Sequence, residues 1–148
     1  MKKILLSLSL LAVIAVPVTA QKKALPAHKP GAKAAPASPA ANGKKVYVKY
    51  CLSCHQADGG GVMNMNPPLT ASPYVQGDKQ RIITILLTGF NQGVEINGQT
   101  YTNAMPSFSY LKDKEIADVL TYVRSHFKNK AGAVKVAEVT PIRAALKK

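Results

Sequence analysis

Ile116, Val119, Leu120 and Val123 recur at i, i+3, i+4 and i+7, the spacing that lines one face of an α-helix. Asp113 and Glu115 stand in what would be its first turn, where acids complement the helix dipole, so a helix is expected over 113–127. Ile82, Ile83, Ile85, Leu86 and Leu87 crowd a shorter run between Asp78 and Gly89. That run predicts a largely buried helix over 79–88, capped by Asp78 and closed by a left-handed glycine. Upstream, Val46 and Tyr50 share a spacing of four, as do Gly43 and Tyr47, which suits a short helix from an Asn42 cap to about Tyr50. Asn97-Gly98 between Val94-Glu95-Ile96 and Gln99-Thr100-Tyr101 is a two-residue hairpin signal. Gly59-Gly60-Gly61 and Asn66-Pro67-Pro68 exclude regular structure between the first two helices. Helices dominate, so 42–129 is expected to form one small all-α domain with a minor hairpin.

The ends read differently. Lys2 and Lys3 precede a largely apolar run from Ile4 to Val16, followed by Val18-Thr19-Ala20. That pattern predicts a signal peptide over 1–20, cleaved after Ala20, and hence export to the periplasm. The run falls short of the roughly 20 residues of a membrane span, so membrane association is expected only if the segment stays uncleaved. Residues 21–41 are dominated by Ala, Lys and Pro and are expected to form a disordered tether. In the basic tail, 130–148, Thr140-Pro141 suits the cap and first position of a short final helix, with Ile142, Ala145 and Leu146 on one side. Such a helix would dock on the domain or a partner, the alternative being a frayed terminus.

Formal net charge is +13, but its distribution argues against nucleic acid. Without Lys2 and Lys3 the chain carries +11, of which 21–41 and 130–148 hold +4 each and 42–129 only +3. No basic-aromatic stripe accompanies the charge, so an acidic protein partner or anionic surface fits better.

The candidate chemistry lies in Cys51-Leu52-Ser53-Cys54-His55, the spacing by which two thiols bond a c-type haem and the adjacent histidine ligates its iron. These are the only two cysteines, which leaves none for a four-thiolate metal site. The competing reading is a dithiol redox pair or one disulfide, but no βαβ pattern of a thioredoxin-like protein precedes the motif. With no tryptophan in the chain, a buried haem would supply much of a modest core.

Opposite His55, the thioether candidates are Met63, Met65 and Met105. Met105 is favoured: it lies fifty residues beyond His55 in an irregular stretch able to cross the open haem face. Met63 and Met65 sit only eight and ten residues away. Those two, an open site, and a bland role as core filler are the alternatives. His28 lies in the tether and His126 near the end of the last helix. A thioether opposite an imidazole fills the coordination sphere and raises the potential, which suits an electron carrier rather than an enzyme.

The motif order Gly43-x-x-x-Tyr47-x-x-x-Cys51-x-x-Cys54-His55, Pro67-x-Leu69, then Asn103-Ala104-Met105-Pro106 before a terminal helix resembles a class I c-type cytochrome. The resemblance covers 42–129. It implies a cytochrome c fold of three to five helices around one covalently bound haem c, gripped by crossing terminal helices, with Gly43 and Tyr47 against the last helix near Tyr122. It also implies that the Pro67 carbonyl accepts the Nδ1–H of His55. Ile82-Ile83-x-x-Leu86-Leu87-Thr88-Gly89, Ile96-Asn97-Gly98-x-x-Tyr101 and Leu120-Thr121-Tyr122-Val123-Arg124 are similar to cytochromes of periplasmic alcohol and sugar dehydrogenase systems. Lys112 departs from the Ser or Thr often found there as a helix cap, which implies a looser helix start.

These readings imply a periplasmic single-haem carrier. It would pass electrons from a quinoprotein or flavoprotein dehydrogenase, or a respiratory complex, to an oxidase or other acceptor. Lys44, Lys79 and Lys112 would steer encounter. Alternatives are a cytochrome subunit permanently docked to a dehydrogenase, and a haem enzyme or gas sensor with open iron. Arg81, Tyr74 and Asn103 are candidate propionate partners.

Overall fold

A computed structural model describes residues 37–147. In chain order they form α1 (Pro39–Tyr50), α2 (Leu52–His55), α3 (Pro73–Gln76), α4 (Lys79–Thr88), a hairpin of β1 (Val94–Ile96) and β2 (Gln99–Tyr101), α5 (Asp113–Ser125) and α6 (Val136–Leu146). α2 and α3 are single turns. The described chain is thus all-α with one minor hairpin, the class expected from its hydrophobic periodicity. The expected leader at 1–20, most of the tether and His28 lie outside the described residues.

α1 and α5 cross at Gly43. A Cβ there would stand 2.0 Å from the Asp118 carbonyl oxygen, so only hydrogen permits this approach. One turn on, the buried Tyr47 packs on Tyr122 and Phe127, with ring centroids 5.5 and 5.1 Å away. Its hydroxyl donates to the Gln56 carbonyl at 2.6 Å, which ties α1 to the chain just after α2. Ile83, Ile116 and Val139 are fully buried, joining α4, α5 and α6 in one core with Val119 and Leu120. Each such aliphatic side chain contributes on the order of 1.5–3 kcal/mol by leaving water.

Several element ends differ from expectation. α1 begins at Pro39, not after Asn42, because Ser38 is the cap: its hydroxyl accepts from the Ala41 N–H at 3.2 Å and Pro39 takes the first position. The last three residues of the expected tether are therefore helical. α5 stops at Ser125, two residues early. Phe127 and Lys128 adopt left-handed backbone, φ 54° and 61°, which turns the Phe127 ring back onto Tyr47. α6 starts four residues before Thr140-Pro141, placing Pro141 inside the helix. The start signal is Glu138, whose carboxylate accepts from the Lys135 N–H at 2.7 Å. Glu115 does the same for Lys112 at 2.9 Å, so the acid at the third helical position holds the start of α5 where Lys112 supplies no cap. The hairpin forms as expected, Val94 opposite Tyr101 and Ile96 opposite Gln99, with Asn97 and Gly98 at φ 53° and 76°.

The tail is docked. Val134 and Val139 are buried against the core, Glu138 pairs with Lys79 at 2.9 Å and Arg143 with Asp113 at 2.5 Å. No helix among the described residues is long and apolar enough to cross a membrane.

Candidate functional site

Between α4, α5 and the loops on either side of the hairpin lies a cavity of about 970 Å³ of interatomic space, mouth included. Its wall is almost wholly apolar, with Ile82, Leu86, Phe90, Phe108, Leu120 and Val123 prominent. Cys51, His55, Pro67 and Met105 line the same cavity, although the chain between His55 and Met105 spans fifty residues.

α1 delivers Cys51, whose N–H donates to Tyr47 O at 2.8 Å, and the single turn α2 then brings His55 inward. Cys51 is half-buried in the wall, while Cys54 is exposed beside it. Burial, with Cys54 close by, pushes the Cys51 thiol up to about 11. His55 is buried, and its Nδ1–H donates to the Pro67 carbonyl at 3.0 Å, leaving Nε2 as the ring nitrogen with a free lone pair. Burial lowers its proton affinity and the Pro67 bond partly opposes this, so the imidazole favours the neutral, ligating form. Gly61 makes the Pro67 position possible: at φ 68° its own Cβ would sit 2.3 Å from Asn66 O and 2.8 Å from Pro67 O.

Met105 is anchored by paired backbone bonds with Phe90, N to O at 2.7 Å and O from N at 2.9 Å. Its half-buried side chain lies in the cavity wall. Met63 and Met65 do not line the cavity and are 74% and 48% exposed. His126 lies outside it too, stacked on Tyr122 at 4.1 Å with Nδ1 hydrogen-bonded to Tyr122 O at 2.9 Å. Tyr74 and Asn103 line the cavity; Arg81 stacks on Tyr74 at 4.0 Å, and Asn103 donates to Asn66 Oδ1 at 3.2 Å.

Phe90, Gln92, Phe108 and Leu111 also shape the wall, and none stood out in the sequence. Phe90 and Phe108 are isolated aromatics in irregular chain, without a periodicity to assign them inward. An apolar slot with thiols at one border and an imidazole of free Nε2 fits a flat, apolar, iron-bearing macrocycle: the walls suit its faces and the donor set suits its iron.

Comparison with known proteins agrees with this chemistry. Residues 40–127, more than half of the chain, match the cytochrome c family model. The chain is 37% identical over 103 residues to the cytochrome c subunit of a quinone alcohol dehydrogenase from Gluconacetobacter polyoxogenes, covering 68% of this chain and 22% of that protein. It is 37% identical over 87 residues to cytochrome c-552 of Thermus thermophilus, covering 56% and 66%. It is 34% identical over 100 residues to the gluconate 2-dehydrogenase cytochrome c subunit of Pantoea cypripedii, covering 65% and 22%. The matched region is thus about a fifth of each dehydrogenase subunit. By the extent of that family match, this chain belongs to the cytochrome c family, electron-transfer proteins that hold haem c and its iron covalently.

Proposed function

We propose that this protein is an exported, periplasmic single-haem electron carrier whose iron is closed on both faces. The observation that carries the reading is the convergence of Cys51, His55, Pro67 and Met105 on one apolar cavity. Haem c supplies an iron that cycles between ferrous and ferric. Cys51 and Cys54 would hold the group through thioether bonds, and His55 would offer Nε2 to its iron, while the Pro67 carbonyl fixes the ring and strengthens its basicity. Met105, lining the same cavity, would offer its thioether to the iron, and an imidazole–thioether pair would raise the potential. The apolar wall excludes water, so little solvent must reorganise when the charge changes.

The partners are redox proteins. The alcohol, gluconate and fructose dehydrogenase subunits among the relatives favour a dehydrogenase as donor, with an oxidase or respiratory complex as acceptor. Exposed Lys44, Lys45 and Lys112 would speed encounter with an acidic partner, whereas Lys79 is paired with Glu138. The same relatives favour a second reading, a cytochrome permanently docked to a dehydrogenase, which co-purification from the native membrane or periplasm separates from a free shuttle. A redox titration tests the carrier role. One reversible one-electron transition, with reduction by a dehydrogenase partner slowed by salt, supports it. Irreversible or multi-electron behaviour overturns it.

A further inference from the structure

α6 lies beyond the stretch that matches the family, 40–127, yet it grips the segment that carries Met105. Arg143 Nε meets Asp113 Oδ1 at 2.5 Å, Nη1 donates to Ser109 O at 2.5 Å and Nη2 to Leu111 O at 2.6 Å. Ser109 and Leu111 belong to the turn between Met105 and α5. The near end of this segment is stapled to α4 and its exit: Met105 pairs with Phe90, Ser107 Oγ donates to Leu87 O at 2.7 Å, and Phe108 N to Leu86 O at 2.8 Å. The far end, 109–111, is held by Arg143, by the local bonds from Leu111 N to Phe108 O at 3.0 Å and Ser109 N to Ser107 Oγ at 3.2 Å, by the Tyr110 ring 5.8 Å from Tyr50, and by the buried Leu111 side chain. α6 is itself anchored independently, through fully buried Val139, the Glu138–Lys79 pair and the Thr140 hydroxyl on Asp113 Oδ2 at 2.6 Å.

We propose that Arg143 is a positioning residue that latches loop 105–111 shut and so keeps the Met105 thioether in place. The proposal rests on the reading that Met105 would supply the thioether ligand to the iron. A guanidinium spreads its donors in a rigid fork, and here the fork spans the two carbonyls and the carboxylate at the loop's exit. Phe108 and Leu111 line the cavity as Met105 does, so any outward movement of the loop unseats all three together. The loop's closed population then decides how often an outside ligand can reach the iron, because apparent affinity scales with the competent fraction.

The test compares haem-loaded wild type with Arg143→Ala, Arg143→Lys and Lys79→Ala. The lysine variant keeps the ion pair with Asp113 and drops the carbonyl bonds, so α6 stays docked. Lys79→Ala loosens α6 without touching the loop. The readouts are carbon monoxide affinity of the ferrous protein, the far-red sulfur-to-iron band of the ferric protein, and amide exchange at Phe108 and Leu111. Arg143→Ala, which removes all three contacts, should raise carbon monoxide affinity and both exchange rates at least about tenfold, the scale of a single charge-assisted hydrogen bond, and weaken the band. Arg143→Lys should fall between it and wild type, and Lys79→Ala should match wild type. Wild-type affinity and exchange in both Arg143 variants, with the band intact, overturn the latch. If wild type itself lacks the band and binds carbon monoxide, the Met105 reading fails instead. Exchange at Phe108 and Leu111 then decides separately whether Arg143 holds the loop.

Discussion

Replacing Gly43 by alanine should be among the most damaging one-carbon changes in this protein. The added Cβ would stand 2.0 Å from the Asp118 carbonyl oxygen, 2.6 Å from its carbon and 2.8 Å from Tyr122 Cβ, where ordinary contact begins near 3.4 Å. The obstacle is mainly helical backbone, which cannot rotate away as a side chain could, so α1 and α5 must part by more than about 1 Å. Overpacking of this kind costs about 1–3 kcal/mol, and parting also loosens the Tyr47–Tyr122 ring contact, worth about 0.5–1.5 kcal/mol. Alanine returns at most about 1 kcal/mol through its better helix propensity. The collision is severe, so the net should fall near the upper end, about 2–3.5 kcal/mol. For a domain of this size that is a melting point about 10–25 °C lower. Thermal unfolding of the haem-loaded protein, followed by far-ultraviolet circular dichroism, measures it. Gly132→Ala serves as control, because nothing lies within 4 Å of its added Cβ. A Gly43→Ala melting point within about 3 °C of wild type would refute the close crossing of α1 and α5.

Three further outcomes follow from other parts of the fold. The double variant Cys51→Ser/Cys54→Ser cannot attach haem and should lose cooperative unfolding, because the cavity's apolar wall would have nothing to pack against; a sharp wild-type-like transition would show that the cavity closes unaided. Tyr47→Phe removes the 2.6 Å bond to the Gln56 carbonyl and should cost about 0.5–1.5 kcal/mol in denaturant unfolding, whereas an unchanged midpoint would assign Tyr47 to ring packing alone. The Thr140 hydroxyl, then Arg143, hold the Asp113 carboxyl below its ordinary range. A depressed carboxyl stabilises the fold above its unfolded value, ~3.9, and loses that contribution as pH falls through the folded value. Protection of α6 from proteolysis should therefore be flat from neutrality down to mildly acid pH and weaken in stronger acid; an acid profile unchanged in Asp113→Asn would remove Asp113 from that account.

Much of the fold was legible because its signals are local. The 3.6-residue period of Ile116 to Val123 marks α5, Asp78 and Gly89 bracket α4, and Asn97-Gly98 marks the hairpin. The motif around Cys51 and His55 is equally local, since thiol and imidazole must reach one group from a single turn. Element ends were harder where signals competed. Asn42 is a good cap, but Ser38 followed by Pro39 is a better one and won. Thr140-Pro141 reads as a helix start, yet Val139 must reach the core and Glu138 closes the first turn, so α6 begins five residues earlier than that signal places it. The fork of Arg143 was not legible at all, because it joins residues some thirty positions apart through backbone carbonyls, which carry no sequence signature. Phe90 and Phe108 became cavity wall for the same kind of reason: tertiary contact, rather than period, turns them inward.

The central claim is an iron closed between His55 and Met105. It is tested most directly by absorption spectra of the exported protein, ferric and ferrous, with carbon monoxide added to the ferrous sample, beside the same spectra of Met105→Ala. The account predicts a sharp low-spin ferrous band, a far-red sulfur-to-iron band when ferric and only weak carbon monoxide binding in wild type, with both bands lost and carbon monoxide bound tightly in the variant. A high-spin wild-type spectrum that shifts with carbon monoxide, or a Met105→Ala protein identical to wild type, would contradict it.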